Sequence, residues 1–188
     1  GFPSALAVPA DLAVICAVRE PERWALSMFA KPWHTPPQMQ ALEFSEFIRA
    51  PWASIVDRAR YFNGAHALVG QPLLADRDPV SGEVFENLFA LRRAKLRGVL
   101  SYAARVETFA LVRTETLQSD AEHTIDALAQ GLGLGKRDAP FRPVTRRLGS
   151  KFKPAVASRP PGPSRMSETD RDFMRACLDG ELERALGY

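Results

Sequence analysis

An arginine stands at the end of an apolar run and a serine follows it eight residues later, in Val18-Arg19-Glu20-Pro21-Glu22-Arg23-Trp24-Ala25-Leu26-Ser27-Met28. In an open parallel sheet, ligands collect at the carboxyl ends of strands, where helix amino termini and backbone N–H groups favour anions. Arg19 occupies a place of that kind, and Ser27, inside the helix that follows, can reach the same phosphate group. The plainer reading makes Arg19 a surface or ion-paired residue and Ser27 a neutral helix position. A second set of cations lies in residues 136–165, where nine basic residues, Arg147 and Lys151 among them, face one acid, Asp138. That segment carries a local charge of +8, while the other 158 residues sum to −5. Arginine supplies 20 of the 25 cations, and a planar guanidinium suits bidentate capture of phosphate, sulfate or carboxylate. His34, in Lys31-Pro32-Trp33-His34, is the histidine nearest in sequence to the Arg19 segment, with packing beside Trp33 as its structural alternative. With three scattered histidines (His34, His66, His123) and two distant cysteines (Cys16, Cys177), a zinc site has little support.

These residues need elements to position them. Residues 12–18 form a seven-residue apolar run with two valines and an isoleucine, the pattern of a strand buried on both faces. A helix follows at once: Pro21 suits its first position, Glu20 and Glu22 suit the positive end of its dipole, and Trp24, Leu26, Met28 and Phe29 supply apolar surface. Three prolines break residues 31–37, and Phe44, Phe47 and Ile48 predict a short helix ending before Pro51. Residues 72–82 read as an exposed excursion rich in turn formers. Residues 86–106 give the longest helical pattern, with Leu88, Leu91, Lys95, Val99 and Tyr102 along one flank, Leu96, Leu100 and Ala103 beside it, and Arg92, Arg93, Arg97 and Arg105 on the wet side. A second buried strand is predicted at 108–113, then a loop at 114–119. A helix over 120–133 is opened by a Ser119/Glu122 capping box, which leaves His123 facing solvent, and is stopped by Gly133. Arg113 and Glu115 are expected to pair where the strand meets its loop. Residues 158–164 form an extended Pro-rich connector, and a last helix begins near Ser167, capped at Asp170 distance, its stripe of Phe173, Met174, Cys177, Leu178, Leu182 and Leu186 docking on the core.

The order strand, helix, helix, strand, helix is that of an α/β protein, and 188 residues at 46% hydrophobic suffice for a single domain. No apolar run reaches the ~18 residues of a membrane span, and residues 5–17 are interrupted by Pro9 and Asp11. No membrane partner and no secretory leader are expected, and the sparse cysteines make a reducing, cytoplasmic compartment the default. A net charge of +3 is too small to announce a nucleic-acid binder. Two strands are too few for a free-standing doubly wound sheet, so either strands are hidden or the chain begins inside a larger domain.

Residues 17–21 together with Leu26-Ser27-Met28 resemble the segment of the sulfotransferases that use 3′-phosphoadenosine 5′-phosphosulfate (PAPS), in which an Arg and a Ser at this spacing bind the donor's 3′-phosphate. Leu111-Val112-Arg113-Thr114-Glu115-Thr116-Leu117, followed by a helix ending Leu132-Gly133-Leu134, is similar to that family's strand, R-Y-E-D-L loop and LGL helix. Thr114 stands where the family usually has Tyr and Thr116 where it has Asp. Residues 146–153 resemble its basic, glycine-containing loop, and residues 178–188 its terminal helix.

The resemblance implies an α/β fold of P-loop type, a parallel sheet flanked by helices, and one sulfotransferase-like domain over residues 1–188. The family's first strand, its loop for the 5′-phosphosulfate and the helix after it find no counterpart here, so the domain is expected to be amino-terminally incomplete. It implies transfer of a sulfuryl group from PAPS, without a metal, to a hydroxyl or amine on a small-molecule or carbohydrate acceptor. Arg19 and Ser27 would position the donor, and Arg147 with Lys151 would complete the 3′-phosphate pocket. The family's usual base lies in the part with no counterpart; His34, the histidine nearest in sequence to the donor segment, is the catalytic candidate, as a contributor to the acceptor site. The alternative from the residues alone is a non-catalytic module whose segment 136–165 binds a polyanion. The scarcity of aromatics there, Phe141 and Phe152 only, favours the nucleotide site.

Overall fold

A computed structural model describes residues 9, 11–135, 138–144 and 151–188. Strand β1 spans Ala13–Val18 and β2 spans Thr108–Arg113. The helices in chain order are α1 (Pro21–Ala30), α2 (Pro37–Gln40), α3 (Phe44–Arg49), α4 (Leu88–Leu100), α5 (Thr114–Ser119), α6 (Ala121–Gly131), α7 (Glu168–Cys177) and α8 (Gly180–Ala185). β1 and β2 pair in parallel from Ala13 against Thr108 to Val18 against Arg113, so everything from α1 to α4 serves as the crossover. The protein is mixed α/β, a small two-strand parallel sheet flanked by helices. Among the described residues no helix is long and apolar enough to cross a membrane.

Local chemistry accounts for most element boundaries. The Glu20 carboxylate accepts from the N–H groups of Glu22 (3.0 Å) and Arg23 (2.7 Å), and Pro21 fills the first turn, where a missing N–H costs nothing. Glu43 and Glu46 form a capping box on α3, Asn87 accepts from the N–H groups of Phe89 and Ala90 to open α4, and Ser167 accepts from that of Asp170 to open α7.

The main core lies among the helices. Ala25 and Phe29 of α1, Phe44, Phe47 and Ile48 of α3, Trp52, Phe85, residues 88–91 of α4, Met166 and Met174 are all buried there. Phe29 meets Phe44 and Phe47 edge to face at 5.4 and 5.3 Å, and Phe47 meets Trp52 at 5.8 Å. A smaller cluster of Val18, Leu96 and Leu186 joins β1 to α4 and to the chain's carboxyl end.

Several expectations need correction. β1 is not buried on both faces: Cys16 and Val18 are inside, but Ile15 keeps 50% of its surface in solvent, because a sheet of two strands leaves much of its surface uncovered. Arg92 does not lie on the wet side of α4; it is buried against Glu183. The stretch 114–119 is the helix α5 rather than a loop, and the Ser119/Glu122 capping box does not form, since the Ser119 hydroxyl turns back to donate to the Thr116 carbonyl. Asp120 takes the N-cap position of α6 instead. The last helix is two: Leu178 adopts an extended backbone, and Asp179 starts α8 by accepting from the Leu182 N–H. In the excursion 72–82 the turn is exposed, but Asp76 is buried, taking bonds from the Trp52 indole N–H (3.1 Å), the Ser54 hydroxyl and Lys95 (2.6 Å).

Candidate functional site

The carboxyl ends of β1 and β2 lie side by side, Val18 opposite Arg113, and the chain turns from each directly into a helix. Glu115, at the start of α5, holds this end together: its carboxylate accepts from the Glu20 N–H (3.2 Å), the Thr114 hydroxyl (3.3 Å) and the Tyr188 hydroxyl (3.0 Å). Burial by itself would raise the Glu115 carboxyl, yet a bond from its own N–H together with those from Glu20, Tyr188 and Thr114 outweighs it and holds the group below the usual carboxylate range. Burial and the neighbouring Glu115 push the Tyr188 phenol up to about 12. In place of an Arg113–Glu115 pair, the Arg113 guanidinium lies over the Tyr188 ring, 5.0 Å from its centre. Gly187 makes that possible: its φ is +84°, and a Cβ there would come within 2.9 Å of an Arg113 nitrogen.

Arg19 sits one residue beyond β1, half-buried, with its carbonyl held by Arg92 at 2.9 Å. Arg92 in turn grips Glu183 with two bonds of 2.7 Å. The Arg19 backbone is therefore fixed from the interior, while its guanidinium has no ion pair or hydrogen bond among the described residues. Arg23 and Ser27 follow at one-turn intervals on α1, both exposed, with neither side chain engaged among the described residues. Arg23 was missed in the sequence, although its i, i+4 spacing to Ser27 was there to read. The N–H groups at the start of α1 are already occupied by the Glu20 carboxylate, so an anion here would meet guanidinium and hydroxyl side chains rather than helix N–H groups.

His34 lies beyond the other end of α1. The ten-residue helix that separates it from Arg19 is ~15 Å long. The His34 backbone has φ +62°, a left-handed conformation that costs a residue with a Cβ ~1–2 kcal/mol. The Ile55 N–H, 2.7 Å from the His34 carbonyl, and the Thr35 N–H, 3.3 Å from that of Pro32, hold it there. Its Nδ1 is 2.8 Å from Asp57 Oδ1, and the rings of Trp33 (6.3 Å), Tyr61 (5.7 Å) and Phe62 (5.2 Å) surround the imidazole. Asp57 carried no signal in the sequence, because 23 residues separate it from His34 and no motif joins them.

Lys151 is exposed, next in sequence to Phe152, whose ring meets Trp33 edge to face at 5.2 Å. Arg58 donates to the Lys153 carbonyl at 2.7 Å and pins the same stretch. Lys151 thus adjoins a residue packed on Trp33, the sequence neighbour of His34. Arg147 lies outside the described residues, as does the rest of 145–150. His66 and His123 are exposed, and among the described residues no group of three or more His, Cys, Asp or Glu side chains converges as a metal site. The chain matches no family model, no curated protein and no solved structure.

Proposed function

We propose that this chain is a sulfotransferase-type protein, its sheet belonging to a P-loop-like fold, that takes PAPS as donor and a hydroxyl or amine, on a small molecule or carbohydrate, as acceptor. The observation that carries the reading is Arg19: a cation at the carboxyl end of a parallel strand, its backbone locked by buried Arg92, its guanidinium unspent among the described residues. Ser27 lies within α1 and His34 beyond its carboxyl end, so a ligand that engaged both together with Arg19 would need two ends. A nucleotide anchored by its 3′-phosphate and reacting at its 5′ side is such a ligand. The acceptor oxygen or nitrogen would form its bond to sulfur as the bond from sulfur to the 5′-phosphate oxygen breaks, with the acceptor's proton passing to His34. Cationic side chains would stabilise the charge left on the departing phosphate. Polyanion binding by 136–165 has less support, because Arg159 of that segment is turned inward, donating to the carbonyls of Phe29, Ala30 and Gln40.

Calorimetric titration with adenosine 3′,5′-bisphosphate tests the reading. Binding near one equivalent is expected, weakened about 10- to 100-fold in Arg19→Ala, as loss of hydrogen bonds to a charged group implies. Absence of binding by the folded chain, or affinity that ignores Arg19 and falls steeply with salt, overturns it in favour of a diffuse electrostatic surface.

A further inference from the structure

His34 brings together three features that a merely packed histidine does not need. Its backbone is in the left-handed region at φ +62°, its Nδ1 meets a carboxylate at 2.8 Å, and three aromatic rings stand around the imidazole. A non-glycine residue held in a sparsely populated backbone conformation by its surroundings is a recurrent mark of functional sites. Asp57 is itself firmly placed: its neighbour Val56 donates to the Gln71 carbonyl at 3.0 Å and accepts from the Gly70 N–H at 2.8 Å, and Ile55 bonds the His34 carbonyl. The chain on each side of the contact is therefore fixed independently of the contact.

We infer that Asp57 is the positioning residue for His34, and that the two form a general-base dyad. The inference rests on the sulfuryl-transfer reading for the identity of the proton removed. A carboxylate accepts but does not donate, so in the neutral ring Nδ1 carries the proton and the lone pair falls on Nε2. Among the described residues nothing bonds Nε2, and the His34 side chain is 33% exposed against 17% for Asp57, so the ring is open to a ligand while its orienting partner is sheltered. The proton of the acceptor hydroxyl or amine moves to Nε2 as the acceptor's lone pair takes up sulfur, and the carboxylate of Asp57 stabilises the imidazolium that results without receiving the proton itself. Tyr61, Phe62 and Trp33 limit rotation of the ring, so the lone pair keeps one direction.

The test is long-range proton–nitrogen NMR of the histidine rings in the whole ¹⁵N-labelled chain, at a pH where the imidazoles are neutral, with His34→Gln to assign the signal. The same proteins are assayed for turnover of PAPS and for calorimetric binding of adenosine 3′,5′-bisphosphate. His34 is expected as the Nδ1–H tautomer in the parent chain and in Asp57→Glu. Asp57→Asn, whose amide can donate to Nδ1, is expected to lose that preference and to drop kcat by about 100-fold or more, with KM for PAPS and nucleotide affinity unchanged. An Nε2–H ring in the parent chain overturns the dyad, and so does a folded Asp57→Asn protein that keeps its tautomer or its kcat. Asp57→Glu guards against misfolding, since a fold-dependent loss would appear there too. The expected tautomers in a chain that neither binds the bisphosphate nor turns over PAPS would instead overturn sulfuryl transfer, and with it the task assigned to the dyad.

Discussion

Tyr188 and Glu115 share one hydrogen bond and influence one another through it. The phenol is pushed up to about 12 by burial and by the carboxylate 3.0 Å away, against an ordinary tyrosine value of about 10. A raised value means that the fold prefers the neutral phenol. This contribution to stability is complete below the unfolded tyrosine pKa and is lost as pH climbs from there through the folded value. Ultraviolet titration of tyrosinate should show a late-titrating component that is absent from Tyr188→Phe, and Glu115→Gln should bring it back toward the ordinary value. A tyrosinate curve whose late part Tyr188→Phe leaves unchanged would mean that Tyr188 is not docked at the strand ends.

At the scale of elements, α1 depends on a residue far from it in sequence. Its last carbonyls face the connector, where the Arg159 guanidinium donates to Phe29 (2.6 Å), Ala30 (3.2 Å) and, beyond the helix, Gln40 (3.1 Å), and also lies over the Phe29 ring. A cation at a helix carboxyl end satisfies orphan carbonyls and opposes the dipole. The same residue clamps the Pro-rich connector to the core, aided by Gln40 Oε1, which accepts from the Ala155 N–H at 2.8 Å. Arg159→Ala should cost about 1.5–3 kcal/mol, the range for hydrogen bonds to a charged group. Hydrogen exchange should quicken at the carboxyl end of α1 and around residue 155 while α7 stays protected. Unchanged exchange in both places would show the clamp to be incidental. The α7–α8 break belongs to this scale as well: Asp179 serves as cap for α8 and ion-pair partner of Arg97 at 2.6 Å, and both roles require a bend where the hydrophobic stripe alone reads as continuous helix.

Over the whole molecule, Arg92 ties the sheet to the helical body. From α4 it reaches the carbonyl of Arg19 at the end of β1 and both carboxylate oxygens of Glu183 in α8, and both side chains are almost fully buried. Removing one partner of such a pair leaves an uncompensated charge inside, so Arg92→Ala should destabilise by about 3–5 kcal/mol. It should also weaken binding of adenosine 3′,5′-bisphosphate, because Arg19 loses its anchor. A denaturant midpoint unmoved by the substitution would show that the junction is open to water.

The residue types along the chain were enough to establish both strands, α1, α3, most of α4 and the start of α7. β-Branched runs, prolines at helix starts and Ser167 act through neighbours a few residues away. Arg19 and Ser27 were legible as candidates for the same reason. Only the tertiary structure decided that Arg92 is buried, that Arg159 is a helix cap, that Arg113 lies against Tyr188 and that Asp57 faces His34. Each of these contacts joins residues 23 to 130 positions apart, where helical and strand periodicity carry no information. A charged side chain looks the same in sequence whether water or a distant carboxylate satisfies it, and only the fold supplies the partner.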